Sequence, residues 1–115
     1  MLEVLVFMMV SDYISGVLSA LFGKSDKSSS GHLSSKVGFK GIAKKGMMLL
    51  ICSIAYRLDI LTQAIQGDGN AIMFSITCIF YISNEAISIL ENADKLDLPV
   101  PDKLKTFIHN LVKEE

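Results

Sequence analysis

The sequence has 115 residues, of which 50% are hydrophobic and 20% charged, and its mean hydropathy is +0.45. A soluble domain of this size usually carries about 25% charged residues, so the apolar excess has to be buried outside a small core. The net charge of −1 indicates no particular partner, and we expect no nucleic acid among the partners.

Three long apolar segments predict an all-α integral membrane protein, because each is about the length that crosses a bilayer as a helix. No basic region precedes the first segment and no small-x-small cleavage site follows it, so we expect it to be retained rather than removed as a signal peptide. The chain is expected to form one membrane domain over residues 1–115, with spans at about 1–22, 46–65 and 71–90, a basic connector at 24–45 and a tail at 91–115.

Small and weakly polar residues follow one side of the first span. Asp12, Gly16 and Ala20 recur at four-residue steps. A face of this kind lets a partner backbone approach closely, although a fortuitous run of small residues is the alternative. The same spacing relates three serines, Ser11, Ser15 and Ser19.

The connector contains six of the ten lysines and ends in a predicted amphipathic entry to the second span, with Ser34 or Ser35 as its N-cap. Lysines at four-residue steps share a helix face and are expected to contact anionic lipid headgroups. Lysines beside a span also set its orientation. We assign the orienting role to Lys36, Lys40, Lys44 and Lys45. The first three of these share the face that is expected to contact headgroups.

The charge on the loops predicts the topology. Neither the residues before the first span nor the turn at 66–70 contains Lys or Arg, whereas the connector and the tail are both rich in lysine. Three spans place the connector and the tail on the same side. The amino terminus is therefore expected outside and the carboxyl terminus in the cytoplasm.

Four charged residues interrupt the spans. Each opposes insertion into the membrane by roughly 2.5 to 3.5 kcal/mol when it lies near a helix centre. By depth, Asp12 and Arg57 both reach the middle of the bilayer, and we hypothesise that they pair. Asp59 and Glu85 are expected either to hold helices together or to line a water-filled pore.

The third span carries a stripe at helical spacing, made up of Cys78, Tyr81, Glu85, Ser88 and Asn92. Cys52 of the second span is expected about 10 Å from Cys78 in depth, which is too far for a disulfide. Both cysteines are therefore predicted to be buried free thiols. Their spacing matches no metal site or thiol enzyme, and we expect no cofactor.

The tail predicts a short helix with Pro101 near its first turn. Its apolar residues fall on one face, which favours an interfacial or partner-binding helix over a frayed charged tail. These residues are Leu104, Phe107, Ile108 and Leu111.

Three blocks occur in one order along the chain. Together they resemble the phage lysis and toxin-secretion holin family of Gram-positive bacteria and their prophages. The blocks are Ser11-Asp-Tyr-Ile-Ser-Gly16, Leu33-Ser-Ser-Lys-Val-Gly-Phe-Lys-Gly-Ile-Ala-Lys-Lys45, and Asn84-Glu-Ala-Ile-Ser-Ile-Leu-Glu-Asn-Ala93 followed by Leu98-Pro-Val-Pro-Asp-Lys-Leu104.

The resemblance implies a non-enzymatic protein that forms homo-oligomers in the host cytoplasmic membrane. Such a protein is expected to open holes that release an endolysin or assist toxin export. Family members carry a further apolar stretch before the block at Asp12, so a truncated or internally initiated form is expected. An antiholin that delays the hole-former and a small channel or transporter subunit are the alternatives. The candidate pore or packing residues are Asp12, Gly16, Ala20, Arg57, Asp59, Asn84 and Glu85.

Overall fold

A computed structural model describes residues 1–23, 35–66 and 72–113. They form four helices and, within these ranges, no strand. The helices are α1 (Leu2–Leu21), α2 (Ser35–Gln66), α3 (Ile72–Lys95) and α4 (Asp102–Lys113). The expectations for the first part of the connector with its Ser34 cap, for turn residues 67–70 and for the last two tail residues lie outside the described ranges.

Three of the helices, α1, α2 and α3, are long and apolar enough to cross a membrane. The prediction of an all-α membrane protein with three span-length helices and a short carboxyl-terminal helix is therefore confirmed. α2 begins at Ser35 and includes the predicted entry to the second span, so the second half of the connector is helical. Four lysines and Ala43 favour a helix in this stretch, whereas Gly38 and Gly41 oppose it.

α3 is the centre of the bundle, because α1, α2 and α4 each pack against it within the described residues. Contacts between α2 and α3 join Lys45 to Glu85 and Asp59 to Met73, so the two helices are antiparallel. Leu5 of α1 lies in one cluster with Cys78 of α3, and further along both helices Asp12 meets Asn92. α1 is therefore parallel to α3, and the three helices alternate in direction as three membrane crossings require.

Buried residues recur every seven positions in each of these helices, and they stack in layers. Such a period is typical of helices that pack at a small crossing angle. One layer contains Leu5, Cys52 and Cys78, which belong to a single buried cluster. Seven residues further towards the ends of α1 and α3 the corresponding residues are Asp12 and Glu85, and α2 contributes Lys45.

The two cysteines meet in the apolar layer. Both are free and buried, and they pack in one buried cluster. The expected separation of about 10 Å in depth is therefore wrong. That estimate assumed that the second span begins at residue 46, whereas α2 is a longer helix that lies in a different register against α3.

Asp59 connects α2 to the start of α3. Its carboxylate accepts hydrogen bonds from the backbone N–H groups of Met73 (3.1 Å) and Phe74 (2.8 Å). These belong to the first turn of α3, whose N–H groups have no partner within the helix, and a negative charge is favourable at this end. Asp59, which is 3% exposed, thus caps α3 from a neighbouring helix.

Replacing Asp59 by Ala is expected to destabilise the bundle by about 1 kcal/mol, the usual cost of losing an N-cap. Amide hydrogen exchange at Met73 and Phe74 in micelles should become faster in this variant. Asp59→Asn is the control, because its remaining carbonyl oxygen can still accept one of the two hydrogen bonds. Unchanged exchange in Asp59→Ala would show that the cap contributes nothing.

Candidate functional site

A charged layer made up of Asp12, Lys45 and Glu85 lies inside the bundle, with one residue from each of the three long helices. The Lys45 ammonium donates to Asp12 Oδ2 at 2.8 Å and to Glu85 Oε1 and Oε2 at 2.9 and 2.8 Å. Lysine has three N–H donors, so this geometry can use all of them. The layer joins α1 to α2 and α2 to α3 through one cation.

A second group of hydrogen bonds holds Asp12 from the side of α3. Asn92 Nδ2 donates to Asp12 Oδ1 at 3.2 Å and to Ser15 Oγ at 2.8 Å. The Ser15 hydroxyl in turn donates to the Asp12 carbonyl oxygen at 3.0 Å. The carboxylate is therefore fixed in position by two helices.

The side chains of the charged layer are almost removed from solvent, with 18% of Lys45, 5% of Asp12 and 6% of Glu85 exposed. Lys45 is ten residues from the start of α2 and Glu85 ten residues from the end of α3. At about 1.5 Å per residue, the layer lies about 15 Å inside these helix ends. Two carboxylates and one ammonium carry a net charge of −1 when all are ionised.

Charge at this depth is costly. An ion pair in apolar surroundings loses the free energy of hydration of its two charges. The attraction between the charges compensates for this loss only when their geometry is good. Here the short hydrogen bonds supply that geometry, but one ammonium faces two carboxylates. The layer consequently holds the helices in register. It is also the part of the bundle that would gain most if water replaced its protein contacts.

The structure corrects the proposed pair of Asp12 with Arg57. The cation beside Asp12 is Lys45, whereas Arg57 is exposed. Arg57 lines an open groove together with Leu2, Ser53 and Phe74. The depth argument failed because it placed the start of the second span after Lys45, and so it excluded this lysine from the membrane.

Lys45 also differs from the other connector lysines. Lys36, Lys40 and Lys44 are exposed along α2, as expected of lysines that contact headgroups. Lys45 is one residue beyond that face, about 100° round the helix from Lys44. It therefore points into the bundle, where it forms ion pairs with Asp12 and Glu85.

The small-residue face of α1 lies against α3. Ala20 is buried, and a methyl group added at Gly16 would lie 3.8 Å from Asn92 Nδ2, an ordinary contact. The helices are close here without requiring glycine. Asn84, in contrast, is exposed on the outer side of α3. Of the seven candidate residues, the structure brings Asp12, Gly16 and Glu85 together and leaves Arg57 and Asn84 on the surface of the bundle.

Sequence reasoning did not assign the inward role of Lys45, or the parts played by Ser15 and Asn92. The signal was present as a repeat of seven, because Lys45, Cys52 and Asp59 follow one line on α2. A second line joins Cys78, Glu85 and Asn92 on α3. Aligning the two cysteines in depth would have placed Lys45 beside Glu85.

Replacing Lys45 by Met is expected to destabilise the bundle by about 3 kcal/mol, because two buried carboxylates lose their cation. Unfolding by a denaturing detergent, followed by circular dichroism in micelles, measures the change. Lys44→Met is the matched control, since it removes the same charge from an exposed position on the next residue. Equal stability of the two variants would contradict a structural role for the layer.

Comparison with known proteins agrees with this architecture. The chain matches the bacteriophage holin family over residues 1–113. It is 41% identical to an uncharacterized protein of Listeria monocytogenes over 108 residues, which are 94% of this chain and 69% of the relative.

An uncharacterized 14.9 kDa protein of Clostridium perfringens is 36% identical over 111 residues, covering 96% of this chain and 75% of that protein. A probable holin of Bacillus phage phi105 is 26% identical over 108 residues, covering 94% and 71%. No solved structure matches the chain. With three helices able to cross a membrane and a family match over almost its whole length, this multi-pass membrane protein belongs to the bacteriophage holin family.

Proposed function

We propose that the chain is a hole-forming holin. It accumulates in the bacterial cytoplasmic membrane with its amino terminus outside and its carboxyl terminus inside, and it assembles with copies of itself. The holes let a cytosolic endolysin reach the cell wall. Family membership and the probable holin among its relatives support this function, and the exposed lysines Lys36, Lys40 and Lys44 favour the orientation.

The observation that carries the mechanism is the charged layer inside the bundle. A purely structural three-helix membrane bundle would be more stable with an apolar layer here, because apolar replacement of buried ion groups is often stabilising. Ionisable groups within spans typically face a bundle interior or a water-filled cavity. Asp12, Lys45 and Glu85 suit the bundle interior before the hole opens. They also suit a water-filled lumen after it has opened.

The packing of the helices supports a rearrangement at this layer. α1 and α2 both rest on α3, and the Lys45 side chain links them by its hydrogen bond to Asp12. When copies crowd together, water that enters at the layer can hydrate all three charged groups. The helices then turn their polar residues towards a shared lumen, and the charged layer becomes part of its wall.

The direct test is expression in a bacterium with and without a cytosolic murein hydrolase, while optical density and membrane potential are followed. A holin is expected to abolish the membrane potential abruptly and to cause lysis only when the hydrolase is present. Harmless expression alone, together with delayed lysis by a related holin, would instead identify an antiholin. Graded, selective ion flux without release of a cytosolic enzyme would identify a channel subunit.

A variant with an apolar layer tests the mechanism. The combination of Asp12→Leu, Lys45→Met and Glu85→Leu leaves no buried charge without its partner, so it is expected to insert and fold without the destabilisation of Lys45→Met alone. Lysis should be strongly delayed or lost, because no charged group remains to favour water at this depth. Membrane fractionation and the onset of lysis at equal expression are the measurements.

The matched control for this variant is Lys44→Met with Glu91→Leu and Asp94→Leu, which removes the same charges from exposed positions. We expect this control to lyse on the schedule of the parent chain. Lysis by the apolar variant at the same time as the parent would refute the role of the charged layer, even if both proteins form holes.

A further inference from the structure

α4 has an apolar face that the bundle covers on one edge only. Ile108 is 8% exposed, whereas Leu104 and Phe107 are 46% and 61% exposed. Since α4 packs against α3, the contact with α3 accounts for the buried edge. The other edge lies open beside exposed Lys103.

The position of α4 is set by the end of α3. Leu98 N–H donates to the Ala93 carbonyl and Asp97 N–H to the Asp94 carbonyl, with Asp97 at φ 59°. This is a Schellman motif, which ends a helix with one residue in the left-handed region. Pro99 and Pro101 then restrict the chain before α4 begins at Asp102. The short connection keeps α4 beside the end of a membrane-crossing helix.

The surroundings of this edge are basic. α2 begins at the same end of the bundle, since it is antiparallel to α3, and it presents exposed Lys36, Lys40 and Lys44 there. Lys103 and Lys105 are exposed on either side of the apolar face of α4. An apolar face flanked by lysines is typical of a helix that lies in the plane of an anionic membrane surface.

The size of the open edge argues against a protein partner. A stable protein interface buries about 800 Å² on each side, and two exposed side chains provide much less. Lipid requires no such area from one helix, because neighbouring spans already hold the chain in the membrane. The exposed polar face of α4, with Thr106, His109 and Asn110, remains towards water.

We propose that α4 lies on the anionic lipid surface at the lysine-rich end of the bundle. Leu104 and Phe107 insert between the headgroups, and Lys103 and Lys105 contact the lipid phosphates. This inference depends on the insertion of α1 to α3 in a membrane and not on hole formation.

The full chain in vesicles provides the test, because the sequence has no tryptophan and a single introduced one reports its own surroundings. Phe107→Trp places the probe on the open edge, and Thr106→Trp is the control on the exposed polar face. In phosphatidylglycerol vesicles we expect blue-shifted emission for Phe107→Trp. We also expect several-fold stronger quenching by brominated lipid than for Thr106→Trp.

Adding Lys103→Gln and Lys105→Gln to Phe107→Trp should weaken the quenching in phosphatidylglycerol vesicles and leave it unchanged in phosphatidylcholine vesicles. Equal emission and quenching of Phe107→Trp and Thr106→Trp would overturn the proposal. So would a Phe107→Trp signal that is protected from brominated lipid and disappears as protein is diluted in the bilayer, because it would identify a second copy as the occupant. Loss of lysis with the quenching pattern intact would affect the proposed function alone.

Discussion

The bundle depends on the single ammonium group of Lys45, which is shared by two carboxylates on two other helices. Helix association within lipid gains nothing from apolar burial itself, because lipid tails are as apolar as leucine. Specific polar contacts therefore decide the register of the helices. Lys45 fixes how far α2 slides along α3 and, through Asp12, where α1 lies beside both.

The layers on either side of this contact differ in chemistry. Towards the start of α1 and α3 the next layer is the small apolar cluster of Leu5, Cys52 and Cys78. In the other direction Asn92 and Ser19 are buried, and Ser19 Oγ has no hydrogen-bond partner within the part of the chain that the structure describes. Asn92 and Ser19 thus continue the charged layer with polar groups on the side away from the apolar cluster. Water that enters from that side meets polar atoms before it meets the apolar cluster.

The number and type of helices follow directly from the sequence, because runs of about 20 apolar residues have few alternatives to membrane helices. The partner of Asp12 does not follow directly from the sequence, since it depends on where each helix begins. The lysines of the connector look alike in a count of charges, yet Lys44 is exposed and Lys45 is largely covered by the bundle. Counting the depth of the second span from residue 46 was enough to exchange Lys45 for Arg57 as the expected partner.

Asn84 has no place in the interior of one copy, because it is exposed midway along α3. Arg57 is exposed too, but it lies beside Leu2 and Phe74, where α1 and α3 begin. Lipid tolerates an exposed polar group in the middle of a span poorly. A single copy surrounded by lipid is therefore not the most favourable state of this chain. Neighbouring copies or water can solvate Asn84 without disturbing the charged layer, so assembly can precede any change at Lys45. This order of events separates accumulation in the membrane from the opening of a hole.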